Sequence, residues 1–177
     1  MEKKMNLSEA LTLIPHIHEV VLRETGMKPF DNYNFRTLSV AAKLKEVLWP
    51  DLKVSRKRTG VDASSEEHAL VDIEFKTTSG SSFMWDKQLE EVRRQQTLAS
   101  DAFVFGIYEK ENLKTILVAT EPATIEHIRE LMRKKQAERI QAWENNIAAG
   151  KRGGTDAITI TLKELHVTGV PWRVWHF

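Results

Sequence analysis

From position 69 to 76 the chain reads ALVDIEFK, with apolar and charged side chains alternating through most of the run. A strand turns successive side chains to opposite faces, so Val71, Ile73 and Phe75 share one face while Asp72, Glu74 and Lys76 share the other. Other strands are predicted where short apolar runs are bounded by turn residues. These are Leu52 to Val54, with an end blurred by basic residues as far as Val61, and AFVFGIY at 102–108, suited to a central strand. Thr115 to Ala119, ITITL at 158–162 and a short final strand in VPWRVWHF complete the set.

Helical spacing dominates elsewhere. In LSEALTLIPHIHEVVLRETG, Leu7, Leu11, Ile14, Ile17 and Val21 line one side, Gly26 is a natural stop, and Pro15 either bends or restarts the helix. MKPFDNYNF then reads as loop. A second helix is expected from near Thr37 or Ser39, burying Val40, Ala41, Leu44, Val47 and Leu48 and ending before Pro50. A third, Asp86 to Leu98, groups Leu89, Val92 and Gln96 and turns Arg93 and Arg94 away. Thr124 to Asn146 is the longest, with Ile125, Ile128, Met132, Gln136, Ile140 and Trp143 on one broad face. TTSGSS and AAGKRGG read as mobile polar connections. The expected fold is α/β, a central mixed β-sheet flanked by helices. Residues 1–177 form a single domain, with 1–50 a helical N-terminal region.

Composition adds limits. At 41% hydrophobic and 29% charged the chain suits a soluble globular domain. It has no cysteine, which excludes disulfides and thiolate metal sites. No apolar run approaches the roughly 20 residues of a spanning helix, and the charged, helix-patterned start is unlike a secretory signal, so a cytoplasmic location is expected and no membrane partner. A net charge of +1 says little about partners. More telling is KVSRKR at 53–58, whose Lys53, Arg56, Lys57 and Arg58 precede Asp62 closely enough to border a DNA channel and contact phosphates. An ordinary basic surface is the plain alternative. GKRGG at 150–154 lacks the spacing of a nucleotide phosphate loop, so no nucleotide cofactor is inferred.

The charged face of the 69–76 strand carries the candidate chemistry. Residues two apart on a strand point the same way with backbones roughly 6.5 to 7 Å apart. With Asp62 folded alongside, Asp62 and Glu74 can grip Mg²⁺, which needs few protein ligands because it keeps waters and accepts phosphate oxygens. Lys76 then lies near an attacking water or the phosphate oxygens, stabilising charge or helping to orient or deprotonate the nucleophile. Hydrolysis of a nucleic-acid backbone is the coherent outcome, against the plain alternative of a surface ion network of little consequence. Asp72 shares this face and either supports the ion, holds water or meets solvent, while Glu66, Glu67 and His68 read as turn surface.

Asp62 followed by Glu74-Phe75-Lys76 at the end of an apolar strand resembles the signature of the PD-(D/E)XK nuclease superfamily, with Val61 standing where the family name has proline. PHIHEV at 15–20, GVDA at 60–63, FVFGIY at 103–108 and QAWE at 141–144 extend the resemblance toward its type II restriction endonucleases. It implies a restriction-endonuclease-like fold and a homodimer in which each subunit cuts one strand of a short palindromic double-stranded DNA site with Mg²⁺. Asp62 and Glu74 would be the metal-binding carboxylates and Lys76 the catalytic lysine, with the N-terminal region contributing to the dimer. The stretch between Asp62 and Glu74 is slightly longer than the resemblance leads one to expect, which suggests a looser turn.

After the catalytic strand, where a restriction enzyme of this kind carries a base-reading histidine cluster, this chain has SGSSFMWDKQ at 79–88, so a different recognition sequence is expected. Ser81 and Ser82 can bond bases or phosphates, Asp86 can accept from a cytosine amino group, and Lys87 or Gln88 can read purine edges. A plain loop and helix cap explain the same residues. Asn34, with Asp31 and Asn32, falls where such an enzyme approaches the minor groove, though turn formation explains DNYNF equally. A structure-specific repair, recombination or phage nuclease, or a DNA-binding protein that does not cut, remain the alternative functions.

Overall fold

The computed structural model describes residues 6–25, 33–55, 62–166 and 170–177. Helix α1 (Leu7–Thr25) starts with a reciprocal cap in which Glu9 N–H donates to Asn6 Oδ1 (2.8 Å) and Asn6 N–H donates to Glu9 Oε2 (3.0 Å). Pro15 neither ends nor restarts it: the helix is assigned through that position. α2 (Tyr33–Val47) begins a turn earlier than Thr37. Val40, Ala41 and Leu44 are buried as expected, whereas Val47 at the helix end is exposed.

The central sheet has six strands in the order β1 (Lys53–Val54), β2 (Ala63–Ser65), β3 (Leu70–Thr78), β5 (Ala102–Glu109), β6 (Asn112–Ala119) and β8 (Arg173–His176). Among the described residues only β3 and β5 run parallel, with Ile73 beside Ala102 and Lys76 beside Phe105. Parallel neighbours need a long crossover, and here it carries β4 (Ser82–Trp85) and helix α3 (Glu91–Ala99). α4 (Pro122–Ala148) starts with proline in its first turn, where a missing N–H costs nothing. β7 (Ile158–Thr161) pairs with β4 in a separate two-stranded ribbon and runs into the short α5 (Leu162–Leu165). The architecture is therefore α/β, a central mixed sheet flanked by helices. Among the described residues no helix is long and apolar enough to cross a membrane.

Two apolar cores lie on the two faces of the sheet. Ile73, Phe75, Val104 and Ile116 cluster with Val40, Leu44 and Trp49 on the α2 side. Phe103, Phe105 and Leu117 cluster with Ile128 and Met132 of α4 and with Phe83, Trp85, Ile158 and Ile160 of the ribbon.

Several expectations change. Position 82 opens a strand, so TTSGSS is not simply a mobile connection. Val71 is 74% exposed, at the start of β3, where pairing with β5 begins only at Ile73. The third helix starts at Glu91 instead of Asp86, after Lys87 takes a left-handed backbone (φ 58°) that no helix can continue. Val92 is 70% exposed, so the α3 face that turns inward is not the one its apolar residues suggest.

Candidate active site

β2 and β3 are antiparallel neighbours, with Ala63 opposite Ile73. Asp62 immediately precedes β2, and its Oδ2 accepts the N–H of Phe75 at 2.9 Å. Phe75 stands between Glu74 and Lys76, so this bond ties the Asp62 carboxylate to the backbone between the two charged side chains. Glu74 is 3% exposed and Lys76 11%. Their neighbours on β5 are Phe103 and Phe105, which exclude water from one side. Lys76 Nζ also lies 5.6 Å from the Trp85 ring centroid, where an aromatic face favours a cation.

Glu74 Oε1 is 2.9 Å from Lys76 Nζ, within ion-pairing reach but without the alignment of a hydrogen bond, and that buried oxygen has no hydrogen-bond partner. Burial, and then the negative charge of Glu74, push the Asp62 carboxyl up from 3.8 to about 6, against the opposing Phe75 N–H, Lys76 and Arg93. Asp72 is also pushed up to about 6, by burial first and then by Glu74 and Asp101. Its Oδ1 is buried and without a hydrogen bond, while Asp101 Oδ2 accepts the N–H groups of Val71 and Asp72.

Among the described residues no group of three or more acidic or histidine side chains converges to hold a metal ion. Asp72 thus does not complete a three-carboxylate cage. The Asp62 and Glu74 oxygens form a smaller donor set, hard and doubly acidic, which suits an ion such as Mg²⁺ that retains several waters. The unbonded Glu74 oxygen and the mutual repulsion of the two carboxylates are both relieved by a divalent cation, so the residues fit one.

Asp62 and Lys76 open onto a cleft of about 530 Å³, whose walls include Asp86, Lys87, Met84 and Arg93. Asp86 and Lys87 therefore share this cleft with Asp62 and Lys76. The other candidates are not in its lining. Ser81 is exposed with its carbonyl bonded to Leu162 N–H, and Ser82 is half-buried opposite Thr161. Lys53 is exposed and its Nζ lies 2.5 Å from Glu66 Oε1. Arg56, Lys57, Arg58, Asp31 and Asn32 lie outside the described residues, and Asn34 is described only as part of α2. Gln88 is not free to read bases: it is buried, donates to the Asp86 carbonyl and accepts from Gln136 Nε2. His68 bonds Ser65 Oγ (2.9 Å), and Ser65 Oγ donates to Asp51 (2.7 Å), a network that braces the turn before β3.

The sequence pattern pointed Arg93 away from the domain, yet it lines the cleft and its charge acts on both Asp62 and Asp72. Trp85 was likewise not singled out; its signal was the alternation Phe83, Met84, Trp85, in which only Met84 is exposed. A second cavity of about 300 Å³ lies between α1, α2 and the β5–β6 turn, lined by Leu11, Pro15, Tyr108 and Phe177 among others. It contains none of the charged residues singled out for chemistry, and the Tyr108 hydroxyl there donates to the Arg36 carbonyl (2.8 Å). Compared with protein-family models and with curated proteins, the chain finds no match in either.

Proposed function

We propose that this chain is a restriction-endonuclease-like, Mg²⁺-dependent DNA endonuclease that acts as a homodimer and hydrolyses one phosphodiester in each strand of a short palindromic duplex. The observation that carries the reading is Glu74, a carboxylate 3% exposed whose Oε1 has no hydrogen bond, beside a second carboxylate, Asp62, and an ammonium group, Lys76, which themselves line a cleft. A domain built only for stability gains nothing from such a group, because desolvating ions costs more than their attraction returns unless every lone pair is satisfied.

Asp62 and Glu74 would hold the ion, which when bound supplies positive charge that acidifies water and polarises the phosphodiester. The Phe75 N–H keeps Asp62 aimed at that position. Glu74 holds the Lys76 ammonium at 2.9 Å, and the ammonium stabilises the negative charge that grows on the phosphate oxygens as water attacks phosphorus and the P–O bond breaks. Asp86 and Lys87 stand where the duplex would pass and are the best-placed of the proposed base and phosphate contacts. A two-fold dimer would present the two cleavage centres to equivalent half-sites.

Incubating the purified protein with genomic DNA and Mg²⁺, then sequencing the product ends, tests this directly. Discrete fragments with one terminal sequence, lost in folded Glu74→Ala and Lys76→Ala variants, are expected. Preferential cutting of branched or mismatched substrates would point to a structure-specific nuclease instead. Tight duplex binding without any scission would leave a DNA-binding protein.

A further inference from the structure

We infer that Arg93 is the anion-binding group of the cleft, its guanidinium gripping the non-bridging oxygens of the phosphate presented to Lys76. This role rests on the nuclease reading above and adds to it a residue from a different element, helix α3.

Five arginines among the described residues are half-buried, and four have committed their guanidinium groups. Arg36 donates to the Lys110 carbonyl, Arg94 to the Leu89 carbonyl, Arg129 to the Ser100 carbonyl and Arg139 to the Gly153 carbonyl. Arg94, its immediate neighbour, additionally pairs with Glu91. The guanidinium of Arg93 makes no ion pair or hydrogen bond with the described residues, although it lines the same cleft as Asp62 and Lys76. Its positive field is felt at Asp62 and Asp72, yet neither carboxylate pairs with it.

A half-dry cation without a partner is costly, and the nearby carboxylates offset that cost through the field alone. Its five donors thus stay available. A planar fork of N–H groups matches two oxygens of a phosphate, which Lys76, a single compact charge, cannot do. Val92 and Gln96 line the same cleft and Val92 is 70% exposed, so this side of α3 faces the cleft and carries Arg93 with it.

The test combines cleavage with direct labelling. Arg93→Ala is expected to slow single-turnover cutting on the order of a hundredfold. Arg93→Lys, which keeps the charge and loses the fork, should slow it about tenfold. The salt slope of duplex binding should fall by about one in Arg93→Ala, the signature of one lost phosphate contact. Phenylglyoxal should modify Arg93 in the free protein, and duplex DNA or inorganic phosphate should protect it, a readout independent of variant folding. Cutting at the wild-type rate by Arg93→Ala, or labelling unchanged by either anion, overturns the assignment. A wild-type protein that never cuts overturns the nuclease reading; protection of Arg93 by phosphate would then still uphold the anion site, and its absence would end that too.

Discussion

On one face of β3, Ile73 and Phe75 are sealed with Val40, Leu44 and Val104 in a core without a charged group. One residue along, on the opposite face, Glu74 and Lys76 sit beside Phe103 and Phe105, buried almost as deeply but ionisable. The same nine-residue strand therefore spends alternate positions on opposite ends. The α2 face removes apolar area from water, each large side chain contributing about 2 to 3 kcal/mol. The other face gives up that gain, since a buried ion pair is often no better than an apolar replacement of similar volume. The contrast marks which positions of β3 serve the core and which positions the fold merely tolerates, since the side that bears Glu74 and Lys76 has an apolar core of its own around Phe103 and Phe105.

Substituting one residue on each face separates them. Phe75→Ala should cost about 3 to 5 kcal/mol in urea unfolding, because a fully buried ring is lost into a cluster that cannot collapse around it. Its backbone N–H remains, so Asp62 stays anchored, and the fraction still folded should cut DNA at a nearly normal rate. Glu74→Gln should do the reverse. If the proposed nuclease reading holds, removing one of the two charges that would hold the ion is expected to slow scission on the order of a thousandfold, the loss of several kcal/mol of transition-state stabilisation. Its unfolding midpoint should fall less than that of Phe75→Ala, because the Lys76 ammonium loses its carboxylate partner while the repulsion between Asp62 and Glu74 is relieved. If both variants lose stability and activity together, the two faces are not separable.

The alternation that defines both faces was legible in ALVDIEFK, and so were the central strands and the long α4, because each repeats its period over enough residues to exclude the other. What escaped depended on neighbours distant in sequence. β4 is four residues after a serine and glycine run, and only its pairing with β7, over seventy positions later, makes it a strand. Val71 obeys the β3 pattern and is exposed all the same, at a point where β3 is not yet paired with β5. In α3 the apolar stripe misleads because Val92 and Arg93 both border the cleft of Asp62 and Lys76, while Thr97 is the residue that is buried. Asp62 was found by its residue type and spacing, but its hydrogen bond to Phe75 depends on the β2–β3 register, which the sequence does not announce.

A smaller effect tests how tightly the apolar face is closed. A Cβ built on Gly106 would lie 2.5 Å from Val40 Cγ2, so β5 approaches α2 too closely for any side chain there. Gly106→Ala should cost about 1 to 3 kcal/mol through overpacking. Adding Val40→Ala, which removes the clashing methyl, should recover part of that loss in the same unfolding assay. No recovery would mean the strand itself, and not its contact with α2, requires glycine.

The smallest predicted effect comes from the charged face and has a definite sign. Burial and the Glu74 charge raise the Asp62 carboxyl to about 6 from 3.8, so between those values the folded chain binds more protons than the unfolded one. Stability from this group is then fully present below about pH 4 and lost as pH rises through about 6, by on the order of 1 to 3 kcal/mol at neutral pH. Asp72, raised for the same reason, acts in the same direction. Glu164, held down to about 2 by Lys135 and the Thr161 cap, has the opposite sign, and its contribution is lost only as the pH falls below the ordinary carboxylate range. Melting temperatures measured without divalent ions should therefore decline from about pH 4.5 to 7, and Asp62→Asn should flatten part of the decline, Asp72 supplying the rest. Mg²⁺ should raise the midpoint more at pH 7 than at pH 5, because at the lower pH it must displace the Asp62 proton before it can bind. A melting curve indifferent to pH over this window, or a decline untouched by Asp62→Asn, would show that the charged face carries no strained carboxylate, and the contrast with the apolar face would lose its energetic basis.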